Sequence, residues 1–208
     1  MPYQDITTRI GGDIRSRDHS DFPVAGPIRL RRGRIHEVTG DSADIFAIMV
    51  ASRLPGPVIW IGGTSAVESL TPAAVREFLD PARIILTNCT TRKEILWAGE
   101  QTIRANNVSC VVIELHDGPD LRTSRRLQIA AEDSGCTGIV LVAGRVHTSA
   151  AQTRWECVAI PGNVGSWKWC CIKNRHGKLG TWNVQWLGDR NDKTGETCTV
   201  HLAAASAA

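Results

Sequence analysis

The stretch from Gly33 to Ala47 constrains this chain more than any other. The apolar run Ile35 to Val38 leads into Gly40, and a helical apolar pattern through Phe46, Met49 and Val50 follows. A strand therefore enters a tight glycine turn that opens a helix, the layout that sets a phosphate on a helix N-terminus in nucleotide-binding folds. The matching chemistry is absent. A phosphate loop needs small residues, a lysine for the terminal phosphates and a hydroxyl for magnesium. Here those last two positions fall in Ile45, Phe46 and Ala47, while Gly40, Asp41, Ser42, Ala43 and Asp44 form a degenerate loop carrying two carboxylates.

Beyond this unit, strand and helix patterns alternate. Apolar runs at 57–61, 83–86, 110–115 and 138–142 read as strands covered on both faces. Helical patterns occupy the stretch after Thr71-Pro72, then Arg92 to Arg104 and Leu121 to Ser134. The order implies a three-layer αβα core with a mostly parallel sheet. The ending differs, since Trp155 to Ile160, Trp167 to Ile172 and Thr181 to Trp186 have strand character with a turn-rich Asn174 to Gly180 and no helix between them. An antiparallel hairpin is expected there. Residues 1–32 read as an arm or irregular cap, 33–187 as the core domain and 188–208 as a flexible tail.

Composition narrows the class. A chain of 208 residues supports one substantial core, and its net charge of +3 does not by itself announce nucleic-acid binding. No apolar run is long enough to span a bilayer, and 1–20 lacks the pattern of a signal peptide, so a cytoplasmic protein without membrane contact is expected. Seven cysteines, an odd number without paired spacing, read as buried thiols rather than a metal site. His36, His116, His147 and His176 share no spacing with acids or thiols, so no metal or catalytic role is assigned to them.

By residue motif the chain resembles the RecA superfamily, in its phosphate-loop turn, its strand at 110–114 and its hairpin bearing Lys173-Asn174-Arg175. A narrower resemblance covers about residues 30–187: Gly33 to Val38, Leu79 to Arg83, Ile95 to Glu100, Ser124 to Ala131 and Ser149 to Trp155 are similar to ImuA proteins. These are RecA-like accessory proteins of a bacterial mutagenesis cassette induced by DNA damage. The resemblance implies a RecA-like core, contacts with RecA and with the polymerase-like protein ImuB, and a role in error-prone translesion synthesis.

Carried over residue by residue, the catalytic parts are mostly missing. The water-activating carboxylate would fall near Gly62-Gly63, and the polar sensor after Val142 reads Ala143-Gly144. Glu114 alone keeps an acidic position, as a remnant of a magnesium site. Loss of lysine, base and sensor removes the positioning and charge neutralisation on which phosphoryl transfer depends. The expectation is a pseudo-ATPase with no cofactor and no catalytic residue. A divergent DNA-dependent ATPase using Glu114 is the alternative. The SulA label some family members carry adds a third reading, inhibition of cell division.

Function then falls to surfaces. Lys173 and Arg175 are either a finger that reaches a neighbouring subunit or solvated turn charges. Arg122 and Arg126, four apart, share a helix face and with Lys168 are candidates for contact with single-stranded DNA or a partner. Trp60, Trp97 and Trp155 read as core, and Trp167, Trp169, Trp182 and Trp186 as cross-strand packing or, alternatively, stacking surfaces for DNA bases.

Overall fold

A computed structural model describes residues 19–64, 70–105, 107–186 and 200–203. At the centre, β3 (Ile35–Thr39), β4 (Val58–Gly62), β5 (Ile84–Asn88), β6 (Cys110–Leu115), β7 (Thr137–Val142) and β8 (Thr153–Ala159) run parallel in the order β8-β3-β7-β6-β4-β5. β9 (Ser166–Asn174) and β10 (Gly180–Trp186) extend the sheet antiparallel from β8. This is the mixed α/β, three-layer arrangement expected from the alternation, with the antiparallel hairpin in its expected place.

Two cores flank the sheet. On one face, α1 (Ala43–Ser52) is buried along nearly its whole length and shares a cluster with Val38, Trp60, Val112 and Trp155. A second helix, α2 (Pro72–Arg76), adds Val75, and the turn after it adds Leu79. On the other face, α3 (Arg92–Arg104) and α4 (Leu121–Ser134) bring Ile95, Ile103, Leu127 and Ala131 against Ile35, Val111, Ile113 and Val140. Gly99 lets α3 lie close to the sheet, since a Cβ there would stand 2.5 Å from Ile113 Cδ1. A capping box between Thr91 and Glu94 opens α3, and the Asp120 carboxylate accepts from Thr123 N at 2.7 Å to open α4.

The ends differ from the sequence expectation. Within the stretch read as an arm, β1 (Asp21–Ala25) and β2 (Ile28–Arg31) form an antiparallel hairpin whose Phe22, Val24, Ile28 and Leu30 belong to the α1 core. Its alternation is short and broken by Pro23, which hides it from a periodicity reading. Residues 1–18 lie outside the described residues. At the other end, β11 (Val200–Ala203), within the stretch 188–208 expected as a flexible tail, pairs with β10, and residues 188–199 and 204–208 lie outside the described residues. Trp97, read as core, is 65% exposed on α3. Its neighbours Ile95 and Leu96 gave an apolar run, but positions two apart on a helix face apart by about 200°.

The hairpin tryptophans pack rather than project. Phe46 sits 4.7 Å from Trp169 and 5.4 Å from Trp155, and Phe78 sits 4.6 Å from Trp186, measured between ring centroids. Such contacts explain the aromatic content of β8 to β10 as core packing.

Candidate functional site

The carboxyl ends of β3, β4, β6 and β7 open onto a cavity of about 530 Å³. Parallel α/β sheets bind ligands at this edge. Gly40, Asp41, Ala43 and Asp44 from the loop and helix after β3, and Glu114 from β6, line it together, with Gly63 and His116 beside them. The structure therefore brings Gly40 to Asp44, the stretch that the sequence reads as a degenerate phosphate loop, and Glu114 to one place. Gly63 occupies the part of the wall where a water-activating carboxylate was sought, and Ala143 the part where a polar sensor was sought.

The loop is closed upon itself. Only Gly40, Asp41 and Ser42 separate β3 from α1, whereas a phosphate loop runs about eight residues. Ser42 N donates to Cys157 O of β8 at 3.2 Å, and Ala43 N donates to Gly40 O at 3.3 Å. Asp41 Oδ1 accepts from Ser42 Oγ at 2.9 Å and from Ala159 N at 2.8 Å. Two of the loop's amides, those of Ser42 and Ala43, are thus spent inside the protein. Of Ile45, Phe46 and Ala47, within which the lysine and hydroxyl positions are expected to fall, Ile45 is half-buried and Phe46 and Ala47 are fully buried.

Asp41, Asp44 and Glu114 bring three carboxyl groups to the cavity wall. Glu114 Oε1 accepts from Trp60 Nε1 at 2.5 Å. Burial raises the Glu114 carboxyl above its ordinary pKa, the Trp60 N–H opposes that shift, and the negative charge of Asp44 adds to it. Asp44 thus stands close enough to be felt, and among the described residues no lysine or arginine lines the space. Among the described residues no cluster of three or more His, Cys, Asp or Glu is placed to hold a metal ion. The residues present do not fit a magnesium nucleotide. Trp60 is the member of this site that the sequence reading did not find, because its partner lies on a neighbouring strand.

The remaining candidates lie elsewhere. Since β9 is antiparallel to β8 and Asn174 pairs with Thr153 at the start of β8, the β9–β10 turn sits at the opposite end of the sheet from the cavity. Lys173 is half-buried, its Nζ donating to Ser149 O at 2.8 Å, and burial lowers its pKa. Arg175 is exposed, with its backbone N–H donating to Gln152 O at 3.0 Å. Lys168 is exposed on the solvent face of β9. On α4, Arg122 is exposed, while Arg126 forms an ion pair with Glu100 of α3, which also meets Arg104 at 3.1 Å. Arg122 and Arg126 therefore share a helix side, one of them engaged in joining α3 to α4.

No family model matches the chain. Two curated proteins are similar to it, both named Protein ImuA and both from Caulobacter vibrioides, strains NA1000 / CB15N and ATCC 19089 / CIP 103742 / CB 15. Each is 25% identical over 188 residues, covering 79% of this chain and 76% of the relative. The chain is thus distantly related to ImuA.

Proposed function

We propose that this protein is a non-catalytic, RecA-like accessory factor of ImuA type that supports damage-induced translesion synthesis in the cytoplasm. The observation that carries the reading is the closed loop at Gly40 to Ala43, whose Ser42 and Ala43 amides are already bonded, beside a cavity walled by Asp41, Asp44 and Glu114. Catalysis of phosphoryl transfer needs donors and cations aimed at developing negative charge. This cavity offers carboxylates there instead. The distant relationship to ImuA supports the general role, and the resemblance of the motifs extends it to RecA and ImuB as partners.

Of Lys173 and Arg175, Arg175 is the one placed to reach a neighbour, because Lys173 is bonded to Ser149 O. Among the described residues no helix is long and apolar enough to cross a membrane.

Calorimetry of ATP with magnesium against the purified chain, with and without single-stranded DNA and RecA filaments, tests the reading. The expected result is no heat from nucleotide and measurable heat on adding RecA filaments, reduced by Arg175→Ala. Nucleotide binding that is lost in Glu114→Gln, together with phosphate release on adding single-stranded DNA, would instead favour the divergent ATPase.

A further inference from the structure

We propose that β5, the last strand of the sheet, pairs antiparallel with β5 of a second copy of this chain, joining two sheets edge to edge across a two-fold axis at Ile85. The inference is independent of whether the cavity binds nucleotide. β5 is hydrogen-bonded to β4 on one side and ends the strand order on the other. Among the described residues no strand pairs with that outer edge, whose backbone N–H and C=O groups are a template for another strand.

Folded proteins blunt such an edge with a charge, a proline or a bulge. β5 has none of the three. It reads Ile84-Ile85-Leu86-Thr87-Asn88 and keeps an unbroken register with Val58 to Gly62. The same chain uses these devices elsewhere, with Pro23 and a register shift in the β1–β2 hairpin and a second shift between β8 and β9. β5 also carries apolar surface on both sides of the sheet. Ile85 is the register partner of Ile59, which packs into the core under α3, and Leu86 is the partner of Trp60, which packs into the core under α1. Ile85 is 53% exposed and Leu86 45%. A helix laid on one face of the sheet would cover one of them, whereas a strand added in the plane of the sheet flanks both.

The strand that fits is β5 itself. In an antiparallel pair about a two-fold axis perpendicular to the sheet, residues directly opposite share a face. Centred on Ile85, this register sets Ile85 against Ile85 of the second copy and Leu86 against Ile84, so the three central pairs are wholly apolar. Arg83 falls opposite Thr87 rather than a second cation, and its guanidinium already donates to Gly56 O and Leu54 O of its own chain. A contact of this kind uses one patch twice and closes at two copies.

Sedimentation velocity of the full chain over a range of concentrations, with oxidative cross-linking, tests the pairing. The wild type should show a dimer whose share grows with concentration and no larger series. Ile85→Lys places two lysines directly opposite each other and should weaken the dimer by about tenfold or more, as should Leu86→Lys. Ile129→Lys, at an exposed position on α4, should leave it unchanged. Because Ile85 is more than half exposed, the circular dichroism of its variant should match wild type. Ile85→Cys should form a disulfide-linked dimer under mild oxidant, while wild type and Ile129→Cys stay unlinked. A monomer at every concentration, an open-ended series of oligomers, a dimer indifferent to Ile85→Lys, or a dimer that Ile85→Cys does not cross-link would each overturn the proposal.

Discussion

Glu37 and Arg154 are register partners on the adjacent parallel strands β3 and β8, and Arg154 Nη2 approaches Glu37 Oε2 at 2.6 Å with the carboxylate almost wholly buried. Arg154 Nε meets the same oxygen at 2.8 Å, and its Nη2 also donates to His147 O at 2.6 Å, while Glu37 Oε1 has no partner. One guanidinium thus neutralises a buried acid and fastens the loop between β7 and β8. Removing one member of such a pair strands the other charge.

Arg154→Met should therefore destabilise the fold by about 3 kcal/mol, and adding Glu37→Gln should restore at least about 1 kcal/mol of it. Urea unfolding of the two single variants and the double checks this. Losses that simply add would show that the pair is not coupled.

His36 supplies a pH dependence. Its ring is fully buried, with Nδ1 2.7 Å from Thr153 Oγ1 and Nε2 3.0 Å from Arg31 O. A carbonyl only accepts, so Nε2 carries the proton and Nδ1 accepts from the threonine hydroxyl. Burial lowers the pKa from 6.5 to about 4, only partly opposed by the bond to Arg31 O. The folded state therefore binds fewer protons than the unfolded state between those values. Stability is fully present above pH 6.5 and falls as pH drops towards about 4, by about 3 kcal/mol in all. Melts of wild type and His36→Asn across this window should diverge, the variant having the flatter profile. Parallel profiles would sink the assignment.

The thiols give a chemical test of the core. Cys110 is fully buried and pushed up to about 12, Cys136 and Cys157 are raised by the same burial, and Cys170 is only half-buried. Because the thiolate is the reactive form, maleimide at neutral pH should modify Cys170 in the folded protein and leave Cys110, Cys136 and Cys157 intact until denaturant is added. Peptide mapping by mass spectrometry reads each site. Labelling of Cys110 at the rate of Cys170 would contradict the packing.

What the sequence disclosed follows from where the information is local. Helices α3 and α4 were legible because their helical patterns are local to each segment, and Gly135 closes the second with a left-handed turn. The buried strands were legible as continuous apolar runs. The closed loop was legible only as a missing lysine. That its amides are spent on Cys157 O and Gly40 O depends on β8 lying beside β3, a pairing between residues more than a hundred apart. Trp60 with Glu114 and Glu37 with Arg154 were hidden for the same reason, being set by the pairing of strands distant in sequence. A register between strands distant in sequence leaves no mark in either strand alone. Trp97 shows the opposite failure, an apolar pattern that is local and complete yet faces outward.

Gly40 tests how firmly the loop is shut. Its φ of 99° is one that L side chains rarely adopt, and a Cβ there would stand 2.0 Å from Cys157 O, the carbonyl that accepts from Ser42 N. Gly40→Ala must break that bond or shift the end of β8, and both Asp41 contacts move with it. Gly135 is the control, since its φ is 78° but a Cβ there meets nothing within 4 Å. Backbone strain alone should cost about 1 kcal/mol at Gly135→Ala, whereas strain and clash together should cost more than about 2 kcal/mol at Gly40→Ala. Chemical denaturation of both variants measures the difference. Equal losses would mean that the loop yields without resistance, and that its amides are freer to meet a ligand than their bonds to Cys157 and Gly40 imply.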